Sequence, residues 1–109
     1  MASDYNNQNI LELYDKFVNE EIIGEGAKKW GLIYAGLKIS GEAGEVSDEL
    51  GKMFRDDDGV LTEERKEKIK LELGDNLWYI FRLARLLNIP VLEIIISNIE
   101  KLEKRHNGK

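Results

Sequence analysis

Glu42 and Glu45 stand three residues apart in the stretch GEAGEVSDEL, and Glu72 and Asp75 stand three apart in ELGDNLWYI. On a helix that spacing puts both carboxylates of a pair on one face, where they repel each other. At about 100° per residue, Glu42, Glu45 and Glu49 share one narrow stripe, flanked by Lys38 and Lys52. Gly41, Gly44 and Gly51 form a neighbouring stripe without side chains, open to another helix or to a ligand. Each interior glycine costs a helix about 1 kcal/mol relative to alanine, so both liabilities call for a reason. In the second segment Asn76 and Tyr79 continue the acidic stripe, while Leu71, Leu73, Leu77 and Trp78 surround it. That is not the pattern of a solvated face. Four carboxylates set opposite one another repel strongly unless cations lie between them. Oxygen-only donors suit Mg²⁺, with Mn²⁺ able to replace it.

Other patterns carry less. Asp56–Asp57–Asp58–Gly59 suggests a calcium loop, but the D-x-D-x-D-G spacing would need an acid where Phe54 stands. A solvated turn is the better reading. His106 is the sole histidine and lies in the tail, which leaves it no catalytic partner. A di-iron carboxylate bundle would want Glu-x-x-His pairs, and no histidine stands at the places of these acidic pairs. Asn98, Lys101 and Arg105 are spaced i, i+3, i+7, opposite an apolar Leu92–Ile95–Ile99 seam. The stripe reads as an ordinary polar face or, beside a carboxylate–Mg²⁺ centre, as a grip for a polyphosphate. Trp30 and Tyr34 read as core, with stacking on a base as the alternative for an aromatic near the site.

The elements that must position these residues are helices. Ile10, Leu13, Tyr14 and Phe17 follow i, i+3, i+4, i+7 and predict a helix from about Asn9 to Ile22, broken by Gly24 and Gly26. A second helix opens with Trp30, Ile33, Tyr34 and Leu37 and stops in the acidic turn at 56–59. Thr62 is a candidate N-cap, followed by Glu63 and Glu64 where the helix dipole favours acids. The third helix runs to about Leu87. Its apolar residues cover nearly every side from Leu77 onward, which predicts deep burial. Asn88 ends it, and Pro90 suits the first turn of a fourth helix carrying Leu92, Ile95, Ile99 and Leu102. The end after Arg105 is expected to fray. The expectation is an all-α four-helix bundle. It forms one domain over residues 1–109, with a core of about 9–105. The wide apolar arcs of the third and fourth helices predict a homo-oligomer.

Composition bounds the rest. The chain has 109 residues, no cysteine and a net charge of −5. One core fits that length. The absence of thiols removes disulfides and thiolate metal sites and fits a reducing compartment. The acidic balance argues against a nucleic-acid coat. No apolar run reaches the ~18 residues of a membrane span, and MASDYNNQNI lacks the features of a signal peptide. A cytoplasmic protein without nucleic-acid or membrane partners is expected.

GEAGEV, followed after a charged helix–turn–helix by ELGDNLWYI and closed by SNIEKLEKRH, resembles the all-α nucleoside triphosphate pyrophosphohydrolases of the MazG type. The shared motif is ExxE, a spacer, then ExxD, and the resemblance runs from about Trp30 to Arg105. The chain departs from the family at Asn76, a position that is often apolar there. Its N-terminal stretch matches no feature of base recognition. The resemblance implies cleavage of a nucleoside triphosphate between its α and β phosphates, giving monophosphate and pyrophosphate. It also implies that Glu42, Glu45, Glu72 and Asp75 hold Mg²⁺, with Glu49 as a possible further ligand. Glu45 would orient or deprotonate the attacking water. Lys101 and Arg105, with Asn98, and secondarily Lys52 and Arg55, would hold phosphate oxygens; Asn76 and Trp30 join the substrate-contacting set. A homodimer or dimer of dimers in a bacterial or phage-infected cell completes the expectation. The reading from another class is a non-catalytic helical module whose acidic stripe binds a basic partner.

Overall fold

A computed structural model describes residues 9–20 and 25–108, with side chains from 9 to 18 and from 31 to 108. Four helices follow in order: α1 (Ile10–Glu20), α2 (Glu25–Asp56), α3 (Glu63–Leu86) and α4 (Val91–Asn107). The fold is all-α, as the apolar spacing requires, and no strand occurs among the described residues.

The α1 stripe lies on α3. Tyr14 meets Phe81 edge-on at 4.8 Å between ring centroids, and Phe17 meets Trp78 at 5.4 Å. Val18, Phe81, Ala84 and Val91 make the small buried core. The expected break at Gly24 lies outside the described residues. Gly26 does not break the chain: it stands inside α2, which begins at Glu25. One glycine costs a helix only about 1 kcal/mol relative to alanine, which a helix of 32 residues absorbs.

α2 ends where the acidic turn was expected. Asp58 (φ 55°) and Gly59 (φ 74°) both adopt the left-handed conformation. Glycine takes it without steric penalty and aspartate tolerates it. The Gly59 N–H donates to the Met53 carbonyl at 3.1 Å, closing the helix end. Thr62 caps α3 by accepting the Arg65 N–H at 3.0 Å. The turn sends α3 back along α2, and these two helices share the main packing surface of the chain. Asn88 (φ 60°) ends the next turn in the same left-handed region, and the Ile89 N–H donates to the Ala84 carbonyl at 2.9 Å. Pro90 is the N-cap of α4, one residue before the expected first turn. α4 extends past Arg105 to Asn107, and the Gly108 N–H donates to the Lys104 carbonyl at 2.9 Å.

The deep burial expected from Leu77 onward is not what one chain provides. Phe81 and Ala84 are buried, but Leu77, Ile80 and Leu87 are exposed. On α4 only Val91 is buried, while Leu92, Ile95, Ile99 and Leu102 face outward. The radius of gyration is 16.9 Å, against about 13 Å for a compact domain of this length.

Candidate metal and substrate site

Antiparallel α2 and α3 bring the two acidic pairs together. Carboxylate oxygens of Glu42, Glu72 and Asp75 lie within 4.8 Å of one another. Glu42 and Glu72 are half-buried in the seam between the helices, and Asp75 is exposed. Glu45 lies outside this trio, exposed one turn further along α2, but its charge reaches Glu72. Burial pushes the Glu72 carboxyl above the ordinary glutamate range, and Asp75, Glu45, Glu42 and Glu49 push it further. The donor set is all oxygen and carries excess negative charge, which fits a hard divalent cation. Lys38 adjoins the acids, its Nζ 3.6 Å from Glu42 Oε1 and 5.6 Å from the Tyr79 ring centroid. Tyr34 and Tyr79 meet edge-on at 6.4 Å, so an aromatic pair with a lysine adjoins the acids.

The raised carboxyl has a thermodynamic consequence. When a folded pKa exceeds the unfolded one, the folded state binds more protons between the two values. Its contribution to stability therefore falls as pH rises through that window. Without divalent metal, Glu72→Gln should melt above the wild type at neutral pH. The gap should close as pH falls from the raised value toward the ordinary glutamate range. Thermal melts in chelator read this directly, and a gap independent of pH contradicts it.

The remaining expected residues fall in several places. Asn76 donates both amide hydrogens to main-chain carbonyls, Glu42 O at 3.0 Å and Glu72 O at 2.8 Å. It therefore ties α2 to α3 at the level of the acids. Glu49 is buried and turned to Arg65, whose Nη1 donates to Glu49 Oε2 at 3.1 Å. Lys52 Nζ lies 4.0 Å from the same oxygen. Arg55 forks onto its neighbour Asp56, with both hydrogen bonds at 2.9 Å. Asn98 and Lys101 line a groove with Ile89, Glu93, Ile94 and Ser97 that contains none of the acids. Arg105 is exposed further along α4. The Trp30 side chain lies outside the described residues. The glycine stripe does not serve close helix approach within the chain: a Cβ at Gly41, Gly44 or Gly51 would meet nothing within 4 Å.

Sequence reasoning missed Arg65. It stands seven residues before Glu72 and so shares its helix face, but a basic residue inside EERKEKIK reads as solvated. The structure buries it between Glu49 and Asp57.

An antiparallel helix pair that presents ExxE against ExxD defines a class of all-α proteins with a carboxylate site. The model of the MazG nucleotide pyrophosphohydrolase domain matches residues 35–108. The chain belongs to that family. It is also similar to the "Gene 37 protein" of Mycobacterium phage L5, at 39% identity over 75 residues. The match covers 69% of this chain and 66% of the phage protein. No solved structure matches the chain.

Proposed function

We propose that the protein hydrolyses nucleoside or deoxynucleoside triphosphates to the monophosphate and pyrophosphate, dependent on Mg²⁺ or, in its place, Mn²⁺. The observation that carries this reading is the convergence of Glu42, Glu72 and Asp75 within 4.8 Å in a chain of the MazG family. These three residues, with Glu45 beside them, would hold the cation. A divalent ion there would neutralise the phosphates and acidify the attacking water. Glu45, outside the trio and exposed, is free to orient that water and accept its proton. Asn76 holds the backbone at Glu42 and Glu72 in register, which supports positioning more than substrate contact. Lys38 stands next to Glu42, where a cation can meet phosphate oxygens. Lys101, Arg105 and Asn98 are proposed to share that task as charge builds on the leaving pyrophosphate. Because the groove of Asn98 and Lys101 contains none of Glu42, Glu45, Glu72 and Asp75, α4 must then be brought to the carboxylates in an assembled protein.

Assembly has its own support. Leu77, Ile80 and Leu87 on α3 and Leu92, Ile95, Ile99 and Leu102 on α4 are left exposed by one chain, and an uncovered apolar face of this kind is what a protein–protein interface buries. A homodimer or dimer of dimers is expected. Light scattering that returns the monomer mass at micromolar protein contradicts this.

No helix of the described residues is long and apolar enough to cross a membrane. With a net charge of −5, the proposed partner is a free nucleotide in a bacterial or phage-infected cytoplasm, not a nucleic acid or a bilayer. The rival interaction module places its acids on a solvated surface. Glu42, with a side chain 13% exposed, speaks against it. The test is product analysis across a panel of ordinary and oxidised nucleoside triphosphates with Mg²⁺. Pyrophosphate and monophosphate are expected; no turnover across the panel overturns the reading.

A further inference from the structure

Arg65 is one of two buried charged side chains among the described residues, and Glu49 is the other. From α3 its Nε donates to Asp57 Oδ2 at 2.8 Å, and its Nη1 donates to Glu49 Oε2 at 3.1 Å. Asp57 lies in the turn just past the end of α2, and Glu49 lies on the helix itself, on the stripe of Glu42 and Glu45. One guanidinium thus grips α2 and the turn at once. At the other end of the acids, Asn76 makes the second cross-helix tie, to the Glu42 carbonyl. The carboxylates lie between these two ties, in the part of the seam where their own repulsion pushes the helices apart.

We propose that Arg65 is a positioning residue for the carboxylate site: by clamping Glu49 and Asp57 it fixes the register of the ExxE pair against the ExxD pair. This inference rests on the metal-binding reading above. The clamp does two things. It holds the helix separation that lets carboxylates from both helices reach one cation. It also keeps the Glu49 carboxylate engaged, so that a further negative charge does not turn toward Glu72. The task needs a planar fork with donors on two edges. A lysine supplies the charge but cannot serve both carboxylates in that geometry.

The test is Mn²⁺ binding, read from the electron paramagnetic resonance signal of the free ion, in the wild type, Arg65→Lys, Arg65→Gln and Asp57→Asn. Thermal melts of the metal-free proteins accompany it. Partners hydrogen-bonded directly to a metal ligand commonly change affinity by about 10–100-fold, and Arg65 acts at one further remove, through Glu49 and Asp57. Arg65→Gln should therefore weaken Mn²⁺ binding by about tenfold, the lower end of that range, and Arg65→Lys should recover only part of that. Asp57→Asn should weaken it by less, although Asp57 belongs to the turn and not to the acidic stripe. A merely structural arginine would lower the melting temperature and leave the Mn²⁺ midpoint of the folded variants unchanged. That result, or complete rescue by lysine, overturns the inference. If Arg65→Gln does not fold, Arg65→Lys and Asp57→Asn decide it. A wild type that takes up no Mn²⁺ overturns the metal reading and this inference together; equal uptake by the wild type and the variants overturns this inference alone.

Discussion

Glu45→Gln should abolish turnover and leave the fold intact. The substitution removes one charge and almost no volume. Glu45 is exposed, so no packing is lost with it. What is lost is the carboxylate proposed to accept the proton of the attacking water. General-base contributions of this kind are worth about 10²- to 10⁴-fold in rate. The metal-free protein should be at least as stable as the wild type, because one of the charges that raise Glu72 is gone. Pyrophosphate release and far-UV circular dichroism on the same preparation separate the two effects. Near-normal turnover would remove Glu45 from the mechanism. Lost turnover with lost helicity would reassign it to the fold.

The second large effect concerns which bond breaks. If the carboxylates direct water at the α-phosphate, the leaving group is pyrophosphate. A terminal phosphatase would direct water at the γ-phosphate and release orthophosphate. Replacing the β–γ bridging oxygen with an imido group leaves the α–β bond untouched, so this analogue should remain a good substrate. Replacing the α–β bridging oxygen should give an inert, metal-dependent inhibitor. Product analysis with the two analogues reads the outcome as all or none. The reverse pattern, with diphosphate and orthophosphate as products, would mean that the acids bind metal for a different reaction.

The parts of this protein that were legible in sequence are local. Ile10, Leu13, Tyr14 and Phe17 announce α1 because helical periodicity is visible within two turns. Thr62 announces the start of α3 because its hydroxyl acts on a backbone three residues away. The acidic pairs were legible for the same reason, each being a three-residue spacing on an apolar helix. What stayed hidden depends on distant partners. Arg65 finds Glu49 sixteen residues away and Asp57 eight away, and no short pattern announces either. Asn76 was legible as a continuation of the acidic stripe, but the donation of its amide to carbonyls of both helices was not, because one of them lies 34 residues away. Gly26 looked like a breaker because its local cost is known, while the length of the helix that absorbs it is not a local property. Leu77 and Ile80 looked buried because they are apolar, yet whether an apolar face is covered depends on what lies against it.

The Asn76 tie joins residues 34 positions apart, and both acidic pairs and the Arg65–Glu49 bond fall inside that interval. The carboxylate cluster and its two ties are therefore written in one contiguous helical hairpin closed by a short turn. Loop closure over so short a stretch carries a small entropic cost, and topologies rich in such near contacts fold quickly. Glu42, Glu72 and Asp75 come together within one chain, by a unimolecular step whose rate does not depend on how many copies of the chain are present. Whatever covers α4 meets carboxylates whose register a single chain sets by itself.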